Sequence, residues 1–356
     1  MRITLLCKRY YTNKDLIEDQ FGRLFHIPKQ LAKLGHEVNV IALDYRNSKA
    51  IERSMDGLTF RTLPSTVWQL PLMPMRAYQA IKKSKPHIFI ASGDSHIGYL
   101  AWLISKRLAC RFVFDVYDYY PAFKGNKLPG MKAMFHKATS QADLVLCASR
   151  PLQSRLGQWN SNTLLVENGV DTNLFRPLDK QKARQQLAID AGIPVIGFFG
   201  AITPQRGPLL FAASKILAHK IPNLKILLAG RLQGPSIDLP WIDYRGELSQ
   251  QEIPNYIAAC DLVTLPYAND EFNSMAGPCK IAEYLACQRP VVATRVAGHE
   301  AIFEHAPESL CEPNPIEMAA AIEKQLSAGK LIYFSGTLSW IHIAENLNAL
   351  LLKLKR

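Results

Sequence analysis

The chain has no apolar run approaching the ~18 residues that a membrane-spanning helix needs. Its seven cysteines are an odd number without a C-x-x-C pair, which argues against both a disulfide framework and a zinc site. The histidines, His26, His96 and His299 among them, lack metal-ligand spacing, so no metal is expected. Neither a G-x-G-x-x-G fingerprint nor a Walker loop is present, which weighs against dehydrogenase and nucleoside triphosphatase readings. No zinc finger, RNP-type aromatic strand or heptad-bearing basic region occurs, so nucleic acid is not an expected partner. No Ser-His-Asp arrangement, internal repeat or low-complexity tract can be recognised. The opening Met1–Cys7 segment turns polar too soon for a signal-peptide core and reads as a buried strand. The cytoplasm is the expected compartment.

What remains is a globular composition, 48% apolar and 20% charged over 356 residues, a length that suits two domains. The formal charge of +12 is unevenly placed. Residues 1–176 hold 25 Lys+Arg against 13 Asp+Glu, while the rest of the chain is balanced at 17 of each. Such a surplus either concentrates anionic partners, such as lipid headgroups or phosphorylated acceptors, or is a solvated basic surface. Within it, Thr66–Met75 mixes Trp68, leucines and methionines with two prolines, ahead of Arg76, Lys82, Lys83 and Lys85. Apolar residues beside a basic run suit a bilayer interface, and packing of a loop onto a helix is the alternative.

Short apolar strands alternate with amphipathic helices, the pattern of parallel sheets covered on both faces. Strands are expected at Ile3–Leu6, Val38–Leu43, Ile88–Ala91, Phe112–Asp115, Leu144–Ala148 and Leu164–Glu167, with a helix at Phe21–Leu34 ended by Gly35. A second series runs through strands Val195–Phe199, Lys225–Ala229, Leu262–Leu265 and Pro290–Ala293, and helices Leu209–His219, Gln251–Ala259 and Pro278–Ala286. Turn residues and a proline between Asn168 and Pro177 mark the boundary. Two α/β halves suggest a ligand in the cleft between them, at the carboxyl ends of strands.

The chemistry concentrates in Asn273–Tyr284. Gly277 and Pro278 mark a helix start, whose unpaired N–H groups and dipole suit a diphosphate. Lys280, in the first turn, is disfavoured by that dipole unless a phosphate binds. Glu283 projects from the same face three positions on, where it can accept from two ribose hydroxyls; an ordinary surface ion pair is the other reading. Gly200 closes a strand and allows close backbone approach, and Arg206 can clamp phosphate as a fork. In the first half, Asp115 and Asp118 follow a strand and are acid/base or sugar-hydroxyl candidates, with Asp115 alternatively capping a turn. Asp15, Gly22 and Arg23 sit in a similar position after the first strand, where an acceptor phosphate could bind, or where they are plain surface charges.

These residues resemble the GT-B glycosyltransferases of group 1 (family 4) over essentially the whole length. Asn168-Gly-Val-Asp171 with Phe175-Arg-Pro177 resembles the family's linker, Gly200 with Arg206-Gly207 its glycine loop, and Pro278-x-Lys280-x-x-Glu283-Tyr-Leu-Ala with Arg289-Pro-Val-Val-Ala293 its donor-site helix. Val296-Ala-Gly298 matches the turn after it, Gly35-His36-x-Val38 is a structural piece, and Trp340 fits the closing helix. The resemblance implies an α/β GT-B fold of two Rossmann-like α/β/α domains facing across a cleft. On it, 1–170 with a C-terminal helix at about 338–356 bind the acceptor, and 171–337 bind a nucleotide-sugar donor. It implies no cofactor and no obligatory metal, because the helix dipole, Lys280 and Arg206 neutralise the leaving diphosphate. Carried over, Glu283 binds the ribose, and the N–H groups around Met275, Ala276 and Gly277 hold sugar and phosphate.

The chain departs from the family in three places. Met275 stands where the first glutamate of an E-x7-E pair is usual, Ala201 replaces a common basic residue, and the first-domain histidine gives way to Asp118 or a neighbour. Asp118 is then either an inverting base or a hydroxyl contact in a retaining enzyme; a retaining, hexosyltransferase-type reaction is the expectation adopted. The function expected is sugar transfer to an anionic or lipid-linked cell-envelope glycan at the inner membrane face, with Asp118, Arg206 and Lys280 as catalytic candidates. A nucleotide-sugar epimerase on the same fold and a non-catalytic sugar-binding scaffold are the alternatives.

Overall fold

The computed structural model describes residues 1–11, 14–234, 236–277 and 279–355, without the side chains of Lys124 and Lys355. The polypeptide separates into two compact units. One comprises Met1–Gly169, Met275–Gly277 and Trp340–Arg356; the other comprises Val170–Ser274 and Pro278–Ser339. The three residues Met275–Gly277, read from sequence as part of the second domain, thus pack with the first unit.

The first unit carries β1 (Arg2–Lys8), a small antiparallel ribbon β2 (Tyr10–Tyr11) and β3 (Lys14–Asp15), helix α1 (Arg23–Lys33) and β4 (Glu37–Asp44). β5 (Glu52–Met55), β6 (Leu58–Pro64), α2 (Met73–Ser84), β7 (Ile88–Ser92), α3 (Ser95–Leu108) and β8 (Arg111–Val116) follow. α4 (Met131–Gln141), β9 (Leu144–Cys147), α5 (Arg150–Gly157) and β10 (Thr163–Leu165) complete this stretch. The strands form one sheet in the order β10-β9-β8-β7-β1-β4-β6-β5. β1 and β7 are apolar on both faces and buried throughout or nearly so, as central parallel strands must be. The β5–β6 pair is the exception. It is an antiparallel hairpin turned at Asp56-Gly57, both at positive φ, and its edge strand β5 carries the charged Glu52 and Arg53.

The second unit begins with α6 (Lys180–Gln186), β11 (Val195–Phe199), α7 (Pro208–Ala218), β12 (Lys225–Ala229) and β13 (Ile242–Tyr244). α8 (Ile253–Ala259), β14 (Leu262–Leu265), α9 (Glu271–Met275), α10 (Cys279–Ala286) and β15 (Val291–Thr294) follow, then α11 (Ala297–Glu300), β16 (Leu310–Cys311) and α12 (Pro315–Ala328). Its six strands are all parallel, in the order β13-β12-β11-β14-β15-β16. Helix α13 (Trp340–Lys355) returns to the first unit, where Trp340 stacks on His26 with ring centroids 5.5 Å apart and Leu347 and Leu351 enter its core.

Both sheets reverse their winding beside their first strand. The reversal falls between β1 and β7 in one and between β11 and β14 in the other. At such a point the connecting helices leave to opposite faces, and a crevice opens beyond the carboxyl ends of the two strands. Among the described residues, no helix is long and apolar enough to cross a membrane.

Candidate functional site

In the second unit the crevice lies beyond Phe199 on β11 and Leu265 on β14. Gly200 and Gly230, each immediately after its strand, abut so closely that a Cβ on Gly230 would collide with the Gly200 carbonyl. That contact requires glycine. Across Gly200 lies the Lys280 side chain, whose Cε occupies the space that a Cβ on Gly200 would take. Helix α10 delivers this lysine and is anchored by Tyr284, whose buried hydroxyl accepts the Phe199 N–H at 3.0 Å. Glu283 is only 9% exposed. Burial raises its carboxyl pKa above the usual range, with Lys280 pulling the other way. Burial presses the Lys280 ammonium toward neutrality, but Cys279, Glu283 and Tyr267 together outweigh that and Arg206, so its pKa rises. The lysine is therefore a fixed positive charge at the strand ends.

Arg206 is held from three sides. Its Nε and Nη2 donate to Asn273 Oδ1 at 3.2 and 3.1 Å, and its guanidinium sits 4.2 Å from the Tyr267 ring and 5.4 Å from the Phe272 ring. Asn273 is 1% exposed and is itself oriented by donating from Nδ2 to Ala268 O and Asp270 Oδ2. Behind Tyr267 stands His299, fully buried, donating from Nδ1 to Thr294 O at 2.8 Å. Burial chiefly pushes its pKa down to about 4, the Thr294 bond opposing and Arg206 assisting. It is a neutral wall at physiological pH. Two cations thus converge on a crevice floored by two glycines, with a desolvated carboxylate on the same helix as one of them. Such a constellation can hold a diphosphate and a vicinal diol.

The other expected donor contacts divide. Pro278 lies outside the described residues. Met275, Ala276 and Gly277 are fixed within the first unit: Ser149 Oγ donates to Met275 O at 2.8 Å and Asn168 Nδ2 to Gly277 O at 2.5 Å. A Cβ on Gly277 would strike the Ala148 carbonyl. Their backbone carbonyls therefore serve to fasten the segment. Asp270 is committed to Asn273, accepting its N–H at 2.7 Å.

The acceptor-side expectations need correction at three residues. The anion site expected at the start of α1 is closed, because Arg23 is 1% exposed and donates to Asp115 from Nη2 at 2.6 Å and from Nε at 3.2 Å. Its Nη1 donates to Val166 O and Asn168 Oδ1. Asp115 also accepts from Ser92 Oγ at 2.6 Å, so it neither caps a turn nor faces an acceptor. Asp15 accepts from Arg9 at 2.9 and 2.7 Å, and Arg9 bridges on to Asp44 at 2.9 Å. Burial acts to raise the Asp15 pKa, but Arg9 and the Ile17 and Glu18 N–H groups overcome it, so the carboxylate stays ionised. In each case a buried charge demands a partner, and the fold supplies one. Gly22 caps α1 at φ 71 and ψ −171, its carbonyl receiving the Phe25 and His26 N–H groups. Asp118 is half-buried two residues after β8, and its carbonyl receives the Tyr120 N–H.

The winding reversal of the first sheet holds groups that the sequence pattern left unmarked. Lys8, at the end of β1, pairs with Asp94, two residues past β7. Beside them Tyr45 OH lies 3.0 Å from His96 Nε2. The signal that could have found them is positional, since each follows the carboxyl end of a first-sheet strand. Tyr267 and Gly230, each just past a second-sheet strand, were missed for the same reason. Among the described residues, no three His, Cys, Asp or Glu side chains are grouped to hold a metal ion.

The fold is that of the GT-B glycosyltransferases. Sucrose-phosphate synthase from Thermosynechococcus elongatus matches with a TM-score of 0.74 at 17% identity, over 99% of this chain and 98% of that one. HepE of Anabaena, solved with UDP, matches with a TM-score of 0.69 at 19% identity, over 100% and 97%. A family model described as Glycosyltransferase Family 4 matches residues 23–174, and another described as Glycosyl transferases group 1 matches residues 193–328. The chain belongs to the group 1 glycosyltransferases. Among curated relatives, TuaH of Bacillus subtilis, a candidate teichuronic acid biosynthesis glycosyltransferase, is 29% identical over 198 residues, 52% of this chain and 49% of that protein. A D-inositol 3-phosphate glycosyltransferase of Segniliparus rotundus is 32% identical over 149 residues, 38% of this chain and 32% of that protein. These matches span about half or a third of the relatives' own lengths.

Proposed function

We propose that the protein transfers a sugar from a nucleotide-diphosphate-sugar to an anionic or lipid-linked glycan of the cell envelope, working in the cytoplasm at the inner face of the membrane. The observation that carries this reading is the crevice beyond β11 and β14, where Lys280 lies across Gly200 beside the fixed Arg206. The two cations take the charge that builds on the departing diphosphate, and Glu283 accepts from the ribose hydroxyls. Because the charges are supplied by side chains, the reaction proceeds without a metal and without a cofactor. The similarity to TuaH, named for teichuronic acid biosynthesis, supports an envelope acceptor, and UDP is the first nucleotide to try because HepE was solved with it.

We infer a retaining outcome from the carboxylates. Of the three acceptor-side acids, Asp15 and Asp115 are spent on Arg9 and Arg23, which removes them as bases for back-face attack, and Asp118 is read as a contact to an acceptor hydroxyl. In a front-face reaction the departing diphosphate oxygen takes the acceptor hydroxyl proton as the new glycosidic bond forms. Sugar transfer from a panel of labelled UDP-sugars, with the anomeric configuration read by NMR and chelator present, tests the reading. Lys280→Ala and Arg206→Ala should each lower kcat by about a hundredfold or more with melting temperatures unchanged. Wild-type turnover in both variants, or an epimerised donor in place of transfer, would overturn it.

A further inference from the structure

Five of the large apolar side chains left in solvent fall within one stretch, Val67 to Met75. Trp68 is 92% exposed and Val67 77%, and Leu70, Leu72 and Met75 complete the group. They lie on the 3-10 turn Val67–Leu72 and the first turn of α2. The position is fixed: Arg76 Nη1 donates to Pro64 O at 3.0 Å, and Met73, Ala77 and Ile81 bury the inner face of α2. The outer face runs through Met75, Gln79 and Lys82, so a single stripe passes from apolar to cationic over about 10 Å of helix.

Along the sequence the charge flanking this stripe has one sign, although Arg61 pairs with Glu52 of the neighbouring strand at 2.7 Å. From residue 57 to residue 93 the sequence contains Arg61, Arg76, Lys82, Lys83 and Lys85 and not one acid. At the far end of α2 a cavity of about 350 Å3 is lined by Arg2, Arg61, Lys83 and Lys85, with Glu37 as the carboxylate beside them. A tryptophan and aliphatic wedge flanked by lysines matches a bilayer interface, in which the ring and methyl groups reach the acyl boundary and the ammonium groups meet lipid phosphates.

We propose that the Val67–Met75 wedge and the lysines of α2 form a docking surface for a bilayer containing anionic lipids. The surface deepens the reading of a membrane-borne acceptor and rests on that reading only for its purpose. Binding itself needs no turnover.

The test is cosedimentation of the full chain with vesicles of phosphatidylcholine alone and of phosphatidylcholine with phosphatidylglycerol. The chain should pellet with the anionic vesicles, less so at high salt. Trp68→Ser with Leu72→Ser should weaken that binding by about tenfold, since both side chains are exposed and the fold does not depend on them. Lys82→Gln, Lys83→Gln and Lys85→Gln together should weaken it by about a hundredfold and remove its salt dependence. No binding to anionic vesicles, or wild-type binding in both variants, overturns the proposal. So does a wild-type dimer in light scattering that Trp68→Ser with Leu72→Ser makes monomeric, since the patch would then cover a second copy. UDP titrated into the same variants should bind as in the wild type. Absence of UDP binding with vesicle binding intact would count against the transferase reading and leave the docking surface standing.

Discussion

At the scale of single residues, Lys280 and Glu283 are costly places to put charge, and that cost is informative. A lysine in the first turn of a helix opposes the dipole, and a buried glutamate is driven toward protonation unless hydroxyl or amide donors reach it. Both features make sense around an anion with a neighbouring diol. Spacing marked these two residues and Arg206 as candidates, and the family resemblance supplied their roles. The pairing of Arg23 with Asp115 was not legible, because its members are 92 positions apart, and that of Asp15 with Arg9 forms only beside the β2–β3 ribbon. His299 gives a pH signature at this scale. Its pKa falls from 6.5 to about 4 on folding, so the unfolded chain binds more protons between those values. The stability it contributes is complete above pH 6.5 and is lost as pH falls toward 4. The wild type should lose about 3 kcal/mol more than His299→Asn between pH 7 and pH 4 in denaturant titrations. Equal losses would show that the imidazole is not held neutral.

At the scale of elements, the strands that read clearly were the central ones, such as β1 and β11, whose continuous apolar runs leave no competing interpretation. The short edge strands β5, β13 and β16 escaped because two to four residues carry too little pattern, although Asp56-Gly57 was a usable hairpin signal. Helix α2 was visible only as an apolar and basic stretch, and exposure of Trp68 could not be read from composition. The meeting of β11, β12 and α10 could not be read either, since it depends on three separate segments. It makes a specific prediction. Gly200→Ala should displace the Lys280 side chain, whose flexible end yields without disturbing the fold. kcat/KM should then fall by about a hundredfold with little change in melting temperature. Unchanged kinetics would mean that Lys280 works from another position.

At the scale of the molecule, charge and chemistry are separated along the chain. The surplus of positive charge belongs to the first 176 residues, and the cationic crevice belongs to a half whose formal charge is zero. Bulk electrostatics therefore does not explain the crevice, whose two cations are placed one by one through Gly200, Tyr284 and Asn273. Part of the surplus in the first half flanks the Trp68 wedge in sequence and suits an acceptor or surface of opposite sign. The central claim is that the crevice beyond β11 and β14 binds a nucleotide diphosphate, and calorimetric titration of UDP into the full chain in the presence of chelator tests it most directly. The account predicts binding to the wild type and affinity about a hundredfold lower in Lys280→Ala, a loss of the size expected for a charge-assisted contact to phosphate. Equal affinity in the two proteins, or no heat of binding in either, would contradict it.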